Sequence, residues 1–469
     1  EQYKVNALKL KADNASVIAA DTLGVTVGGY IASGSNWSDT KTKLTTSVKA
    51  AGVKENVYNS LGAVNISSSG YSAVNNDANG YGGGIVGFNP VAARSQNEIT
   101  TTTTADVSSK WQGVGSLSVA ANNADKLDIL ADSLTAAVVG ASGTEIKNKV
   151  THNANINVTG DITTSGKQSY IANNTLNHDV DLKGSGYGGG SVNVNDMDND
   201  LTYTAGVNIN NANLSGTGSA GSIEALAYTD GKMDYSNTLK SAGVVPVTIA
   251  ASKNVITYNN SINVTGSNLS TAKADQDITL AATDETTATF DTTADTQGGA
   301  VGAASAKTDN TLNRSNKITV TNGKILSTND VNIYAGANLD GITSSLTYNV
   351  LADAYNKTAV PLATAPKAKN TMTQENQVSI NGDIDSVRHV NFKAGKGMTT
   401  VSTSAREYNI YKGTSGSGSV TSTALGEVTP GETVANYVDI ASGKNVRAGI
   451  HNNLELTISG STKVTNPEF

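Results

Sequence analysis

The stretch Asp330-Val331-Asn332-Ile333-Tyr334-Ala335-Gly336 decides the fold. Val331, Ile333 and Ala335 alternate with their neighbours, and period two is the pattern of a strand with one face buried. Ala7-Leu8-Lys9-Leu10-Lys11-Ala12, Ser116-Leu117-Ser118-Val119-Ala120-Ala121 and Ser222-Ile223-Glu224-Ala225-Leu226-Ala227 carry the same pattern. The four copies open at Ala7, Ser116, Ser222 and Asp330, an almost constant step. A second family keeps a similar step at Asn97–Ile99, Gly206–Ile209, Asn316–Ile318 and Tyr437–Ile440. So do glycine clusters at Gly82–Gly84, Gly188–Gly190, Gly298–Gly299 and Gly416–Gly418. Three markers in step at about 110 residues identify a repeat array. Its super-repeats cover 7–115, 116–221, 222–329 and 330–452, with a fifth opening at 453–469, and the whole reads as one continuous segment.

A shorter, less regular beat runs inside the long one, at about half its step. His389-Val390-Asn391-Phe392-Lys393-Ala394-Gly395 echoes the opening stretch downstream, and Asp277-Ile278-Thr279-Leu280 anticipates it upstream. Another strand type recurs at Ile156-Asn157-Val158, Ile262-Asn263-Val264 and Val378-Ser379-Ile380. Strands of four to six residues lie between Gly, Asn, Asp and Ser, the turn formers. Ala131 to Val139 reads as a helical turn or, with Val138-Val139-Gly140, as a strand. Strands this short need to coil, which predicts an all-β parallel β-helix (a β-solenoid). With about 20 residues per coil the chain makes roughly 20 coils, an elongated rod near ~100 Å. Val, Ile, Leu and Ala are expected inside; Thr, Asn, Ser and Lys outside. The glycine clusters are read as corners.

Composition agrees with a thin structure. Hydrophobic residues make up 38% of the 469, charged residues 16% and aromatics 5%. That is too little Leu, Phe and Trp for one thick enzyme core, while a net charge of 33 − 40 = −7 is too small for a disordered chain. No basic stripe exists for nucleic acid. Cysteine is absent, which excludes disulfides and thiolate chemistry and fits an exported bacterial protein. No apolar run approaches the ~20 residues of a membrane helix, so no direct membrane insertion is expected. Glu1-Gln2-Tyr3-Lys4-Val5 is not a signal peptide. The pattern starts and stops without caps, which reads as a segment of a longer polypeptide or a subunit stacked end to end.

Asn260-Ser261-Ile262-Asn263-Val264-Thr265-Gly266, the Asp330–Ala335 type and Gly298-Gly299-Ala300-Val301-Gly302 resemble the filamentous haemagglutinin-like, two-partner-secreted adhesins, including large leukotoxin-like surface adhesins. The resemblance covers nearly the whole chain as a style of repeat. It implies a right-handed parallel β-helix and an extracellular or bacterial cell-surface location. It further implies a structural role in a shaft or fibre serving adhesion, biofilm or filament assembly. Partners on this reading are other copies of the chain, end to end or side by side, and surface glycans or proteins.

The residue inventory offers little chemistry. His152, His178, His389 and His451 lie in different repeats and are read as surface or turn residues. Arg94, Arg314, Arg388, Arg406 and Arg447 are scattered, with no dense acidic cluster beside any of them. No catalytic, cofactor or metal residue is assigned, and the chain is not expected to be an enzyme. The densest acids, Asp196, Asp198 and Asp200, raise the question of calcium, but the EF-hand spacing fails at Leu201 and Val207, so a solvated turn is favoured. Tyr71, Tyr81, Tyr187, Tyr408 and Tyr411 lie near glycine corners. They form the basis of an alternative, a glycan-binding β-helix module, ahead of a β-helix polysaccharide lyase.

Overall fold

The computed structural model describes residues 5–51, 61–337, 344–362, 364–412, 419–425, 427–458 and 461–462. The described chain is all-β, without a helix, in one sheet system of 23 strands. Pairing is parallel throughout, except for Met398–Lys412 against Ser419–Leu425. Its register organises the molecule. Leu8 pairs with Val64, Val64 with Leu117, Leu117 with Gln168 and Gln168 with Ile223. Ile223 continues to Ile278, then Val331, Val390 and Asn452. Each pass of the chain therefore lies in parallel on the next, from a step of 50 at Val114–Thr164 to one of 62 at Asp385–Arg447.

The short coil expected from the sequence is thus wrong, and the shorter of the two beats is the true one. The super-repeat is two passes: Leu8, Leu117, Ile223 and Val331 occupy alternate levels of one column. The second marker family is not uniform. Ile318 stacks on Ile262 and Val378, whereas Ile99 stacks on Val150 in another column. Nine levels at ~4.8 Å give a stack of ~40 Å rather than ~100 Å.

Within a pass, two long legs face one another. In the pass from Ile223, Thr229 Oγ1 donates across to Asn260 Oδ1 at 2.7 Å, and Asn237 Nδ2 to the Ala251 carbonyl at 2.7 Å. The distance from the turn at Gly243-Val244-Val245 is matched on the two sides, so the legs run side chain to side chain from that tip. A leg such as Gln168–Tyr187 extends ~65 Å. Ala131–Val139 lies in such a leg as strand, its last residues at the tip. At the opposite end short strands, Asp161–Thr164, Asn213–Gly216 and Asn268–Thr271, supply a third side. Because the long strands turn through these sides, seven strands close a ring of parallel pairs. In order they are Trp111–Thr159, Asp161–Thr164, Asn213–Gly216, Asn268–Thr271, Val301–Ser327, Ile223–Thr265 and Gln168–Asn210, and the other strands lie outside the ring.

Corners stack as well. Ser109, Gly160, Asn211, Gly266 and Asn322 turn from return leg to third side with φ of 69°, 149°, 49°, 57° and 51°. Asn and Gly tolerate this left-handed backbone best. At the tip, a Cβ on Gly188 would sit 1.6 Å from the Ala137 carbonyl oxygen, and one on Gly243 would sit 1.9 Å from that of Gly188. These glycine clusters are corners, as their spacing suggested; Gly416–Gly418 lies outside the described residues.

The interior holds two apolar clusters. One fills the three-sided end with Val207, Ile209, Leu214, Ile223, Ile262 and Leu269; the other lies between the legs around Leu127, Leu182, Leu201 and Ile256. Asparagine, expected outside, lines much of the space between legs. Asn97 donates to Asn148 (2.8 Å), Asn148 to Asn199 (2.8 Å), Asn199 to Asn254 (2.6 Å) and Asn254 to Asn310 (2.6 Å). All five are buried. A second inner column runs Asn260, Asn316, Asn376, Asn436 at 3.0, 3.0 and 2.8 Å. In-register parallel stacking lets one amide satisfy the next, so most of the column's inward amides are paired, while Asn310 Nδ2 at its end is buried without a partner.

Candidate functional site

Unlike polar groups converge most closely inside the protein, on Asp125. His178 Nε2 lies 2.9 Å from Asp125 Oδ2, and His178 Nδ1 lies 2.7 Å from the Tyr235 hydroxyl. The Tyr203 hydroxyl donates to Asp125 Oδ2 at 3.2 Å, and His152 Nε2 stands 3.6 Å from the same oxygen. The legs of three consecutive passes supply these residues: Asp125 and His152 from one, His178 and Tyr203 from the next, Tyr235 from the third. Burial opposes ionisation of Asp125. The two histidines and Tyr203 outweigh it and hold the carboxyl below its ordinary range. Burial lowers His152 and raises Tyr203 and Tyr235. The Asp–His–Tyr chain has the connectivity of an acid–base relay, but all its side chains are shut from solvent. Buried in this way, the cluster ties three passes together in the core. His152 and His178 are therefore not surface residues, contrary to the sequence reading. His389 and His451 do stack on the outside, 5.3 Å between ring centroids.

The arginines, scattered in sequence, act as rivets between passes or legs. Arg314 is buried, bound through Nε and Nη2 to Asp284, with Nη1 donating to Gln374 Oε1 at 2.9 Å. Asn316 Nδ2 caps the other Asp284 oxygen at 2.8 Å. Arg406 holds Asp353 with two bonds of 2.9 and 2.6 Å, Arg447 holds Asp385, Arg94 reaches Glu145 at 3.2 Å and Arg388 reaches Asn329 at 3.3 Å. Four of the five pairs cross to a neighbouring pass, and Arg314–Asp284 crosses between legs, so sequence distance concealed them.

Asp196, Asp198 and Asp200 lie on a strand, not in a turn. Asp198 belongs to an outward column of alternating sign, Lys147, Asp198, Lys253, Asp309 and Lys369, with Lys253–Asp198 at 3.8 Å and Lys369–Asp309 at 3.5 Å. A hollow of about 300 Å³ there is lined by Glu98, Lys147, Lys149, Asp198 and Asp200, among others. Lys253 on the neighbouring pass pairs with Asp198, whereas Asp196 lies beside Glu145, and burial with that neighbour raises its carboxyl above the ordinary range. Among the described residues no three His, Asp or Glu side chains are arranged to hold a metal ion.

The tyrosines divide differently from expectation. Tyr170, Tyr203, Tyr235, Tyr258 and Tyr348 are among the largest fully buried side chains. Tyr235, Phe290 and Tyr348 pack in sequence, centroids 5.3 and 5.2 Å apart. Tyr71 and Tyr187 are exposed, but their register partners are Ala15 and Ala124, and Ala136 and Ala242, so no outer tyrosine column forms around them. Tyr81 stacks over Leu134. Tyr408 does stack on Tyr355, at 4.5 Å and 4°, with Arg406 over one ring and Lys357 over the other. The side chain of Tyr411 lies outside the described residues. The tip carries an exposed apolar row that the strand pattern did not signal: Ile85, Val86, Val138, Val139, Val244, Val245 and Val360.

The first pass presents the other open surface. Val5–Val27 and Asn36–Ala51 each pair along one edge only among the described residues. Leu8, Leu10 and Ala12 pack on the core from one side and remain partly covered. No family model matches the chain, and neither a curated protein nor a solved structure matches it.

Proposed function

We propose that the chain is a right-handed β-solenoid, a structural section of the shaft of an extracellular or bacterial surface adhesin, related to the haemagglutinin-like proteins its repeats resemble. Its work is mechanical: parallel passes, amide columns and arginine rivets join each level to the next, so a pull along the stack loads many hydrogen bonds together. The single observation that carries the reading is the register, in which Leu8, Val64, Leu117, Gln168, Ile223, Ile278 and Val331 lie in parallel one above another, level after level. A parallel stack of this kind can be extended by further parallel strands. Partners on this reading are other copies, end to end or side by side, and surface glycans or proteins. The buried Asp125 and Arg314 clusters, neither open to a substrate, favour a non-enzymatic role over a lyase. The Tyr355–Tyr408 pair is the one feature favouring a glycan-binding module.

Electron microscopy of the purified chain tests this. Slabs ~65 Å wide and ~40 Å tall are expected to join along their short axis into filaments. A Leu10→Lys substitution, which places charge on the open edge, is expected to reduce assembly at least tenfold in sedimentation. Monomers that stay dispersed at high concentration, or filaments indifferent to Leu10→Lys, contradict the end-to-end reading. A Tyr408→Ala variant that loses binding on a glycan array supports the module instead.

A further inference from the structure

The environment of His152 is unlike that of any other ionisable group in the cluster. The ring is fully buried, and neither ring nitrogen has a hydrogen-bond partner. His178, by contrast, is bonded at both nitrogens. Asp125 Oδ2, the nearest acceptor to His152 Nε2, already receives His178 and Tyr203. A second N–H on His152 would find no acceptor at Nδ1. Burying a charged donor without a partner is among the costliest events in a core.

The groups facing the ring can be named from each side. Asp125 faces it from the opposite leg of its own pass, His178 and Tyr203 from the next pass, and Thr101, its register partner, from the preceding pass. Tyr203 is closest among the rings, centroids 5.4 Å apart. The next ion pair, Arg314–Asp284, is internally satisfied. Lys126 and Asp128, neighbours of Asp125 in sequence, pair with each other at the surface. One carboxylate, with two bonds on the oxygen nearest the ring, is thus the whole counter-charge available.

The geometry points to an acid-operated seam: a proton taken up at His152 opens the passes built on Asp125, His178 and Tyr235, while the rest of the stack holds. The sign follows from linkage. Burial holds His152 below its ordinary value of 6.5, so an opened state binds the proton first. The stabilisation is complete above about pH 6.5 and is lost as pH falls from there towards the lower value of the closed state. Asp125, also lowered, contributes its own loss only below its ordinary 3.8, outside the interval from pH 7 to 5, and the His152→Leu variant separates the His152 contribution within that interval. Opening is expected to become up to about tenfold more frequent for each pH unit in that interval, the limit for one proton. The chemical consequence is a section that is closed at neutral pH and locally open in acid.

Amide hydrogen exchange at pH 7.0 and 5.0, corrected for the intrinsic rate at each pH, reads this directly. Excess opening in acid is expected at Asp125–Leu130, Val150–Ile156 and His178–Leu182, with little change at Ile318–Val320 and Val378–Ile380. His152→Leu, which keeps the volume apolar, is expected to abolish the excess. A wild-type chain without acid-dependent opening overturns the proposal, as does an excess that survives in His152→Leu. Should that variant not fold, imidazole titration of the wild type by NMR decides: His152 titrating at or above 6.5 overturns the proposal, and His152 silent until well below it supports the proposal.

Discussion

Arg314→Leu is expected to destabilise the protein by about 3–5 kcal/mol, the scale for stranding one member of a buried ion pair. Asp284 is fully buried, and its oxygens are bound by Arg314 and by Asn316. Removing the guanidinium leaves the carboxylate with one amide and leaves Gln374 Oε1 without its donor. The double variant Arg314→Leu with Asp284→Leu is expected to recover much of the loss, since a desolvated pair contributes little net stability over apolar packing. Urea unfolding of the three proteins measures it. A single-variant loss under ~1 kcal/mol means that Asp284 is hydrated and the interior between the legs is wetter than described.

The second large effect belongs to the inner amide column. Asn199→Leu orphans an amide hydrogen donor on Asn148 and an amide oxygen on Asn254. At ~1–3 kcal/mol for each stranded group, the expected loss is ~2–6 kcal/mol. Asn208 provides the comparison. It sits in an outward column, donating to Asn157 at 3.2 Å and accepting from Asn263 at 3.0 Å. Water replaces its partners there, so Asn208→Leu is expected to lower stability by less than ~1 kcal/mol in the same measurement. Equal losses at the two sites contradict the assignment of inside and outside.

These columns also explain what can and cannot be read from the chain alone. Strand type, parallel stacking and the corner role of Gly188 follow from alternation and repetition, because Val331, Ile333 and Ala335 are apolar and their equivalents return in step. Leg length does not follow. Inward positions such as Asn174, Asn199 and Asn260 are polar, so apolar alternation breaks off after a few residues and one long leg reads as several short strands. The inference that polar means outward fails wherever an identical amide lies one level above and below. The coil length fails with it: cutting the legs short shortens the turn, and the echoes at Asp277 and His389 read as half-repeats when each is one full pass. The Asp125 cluster is out of reach for a different reason. Asp125, His152, His178, Tyr203 and Tyr235 share no spacing motif, and only register brings them together. The pass length, once known, places Asp125, His178 and Tyr235 within two levels of one another.

Paired cysteines test the register most directly, in a chain that has no cysteine of its own. Thr151 and Thr202 are outward-facing register partners on adjacent passes. At ~4.8 Å their separation falls within disulfide range. Thr151→Cys with Thr202→Cys is expected to oxidise rapidly and quantitatively within one molecule, while Thr151→Cys with Ile171→Cys, the partner that the short coil would require, is expected to remain reduced. Rapid closure of the second pair and not the first contradicts the stacked-pass architecture on which the function, the amide columns and the acid-sensitive seam all depend.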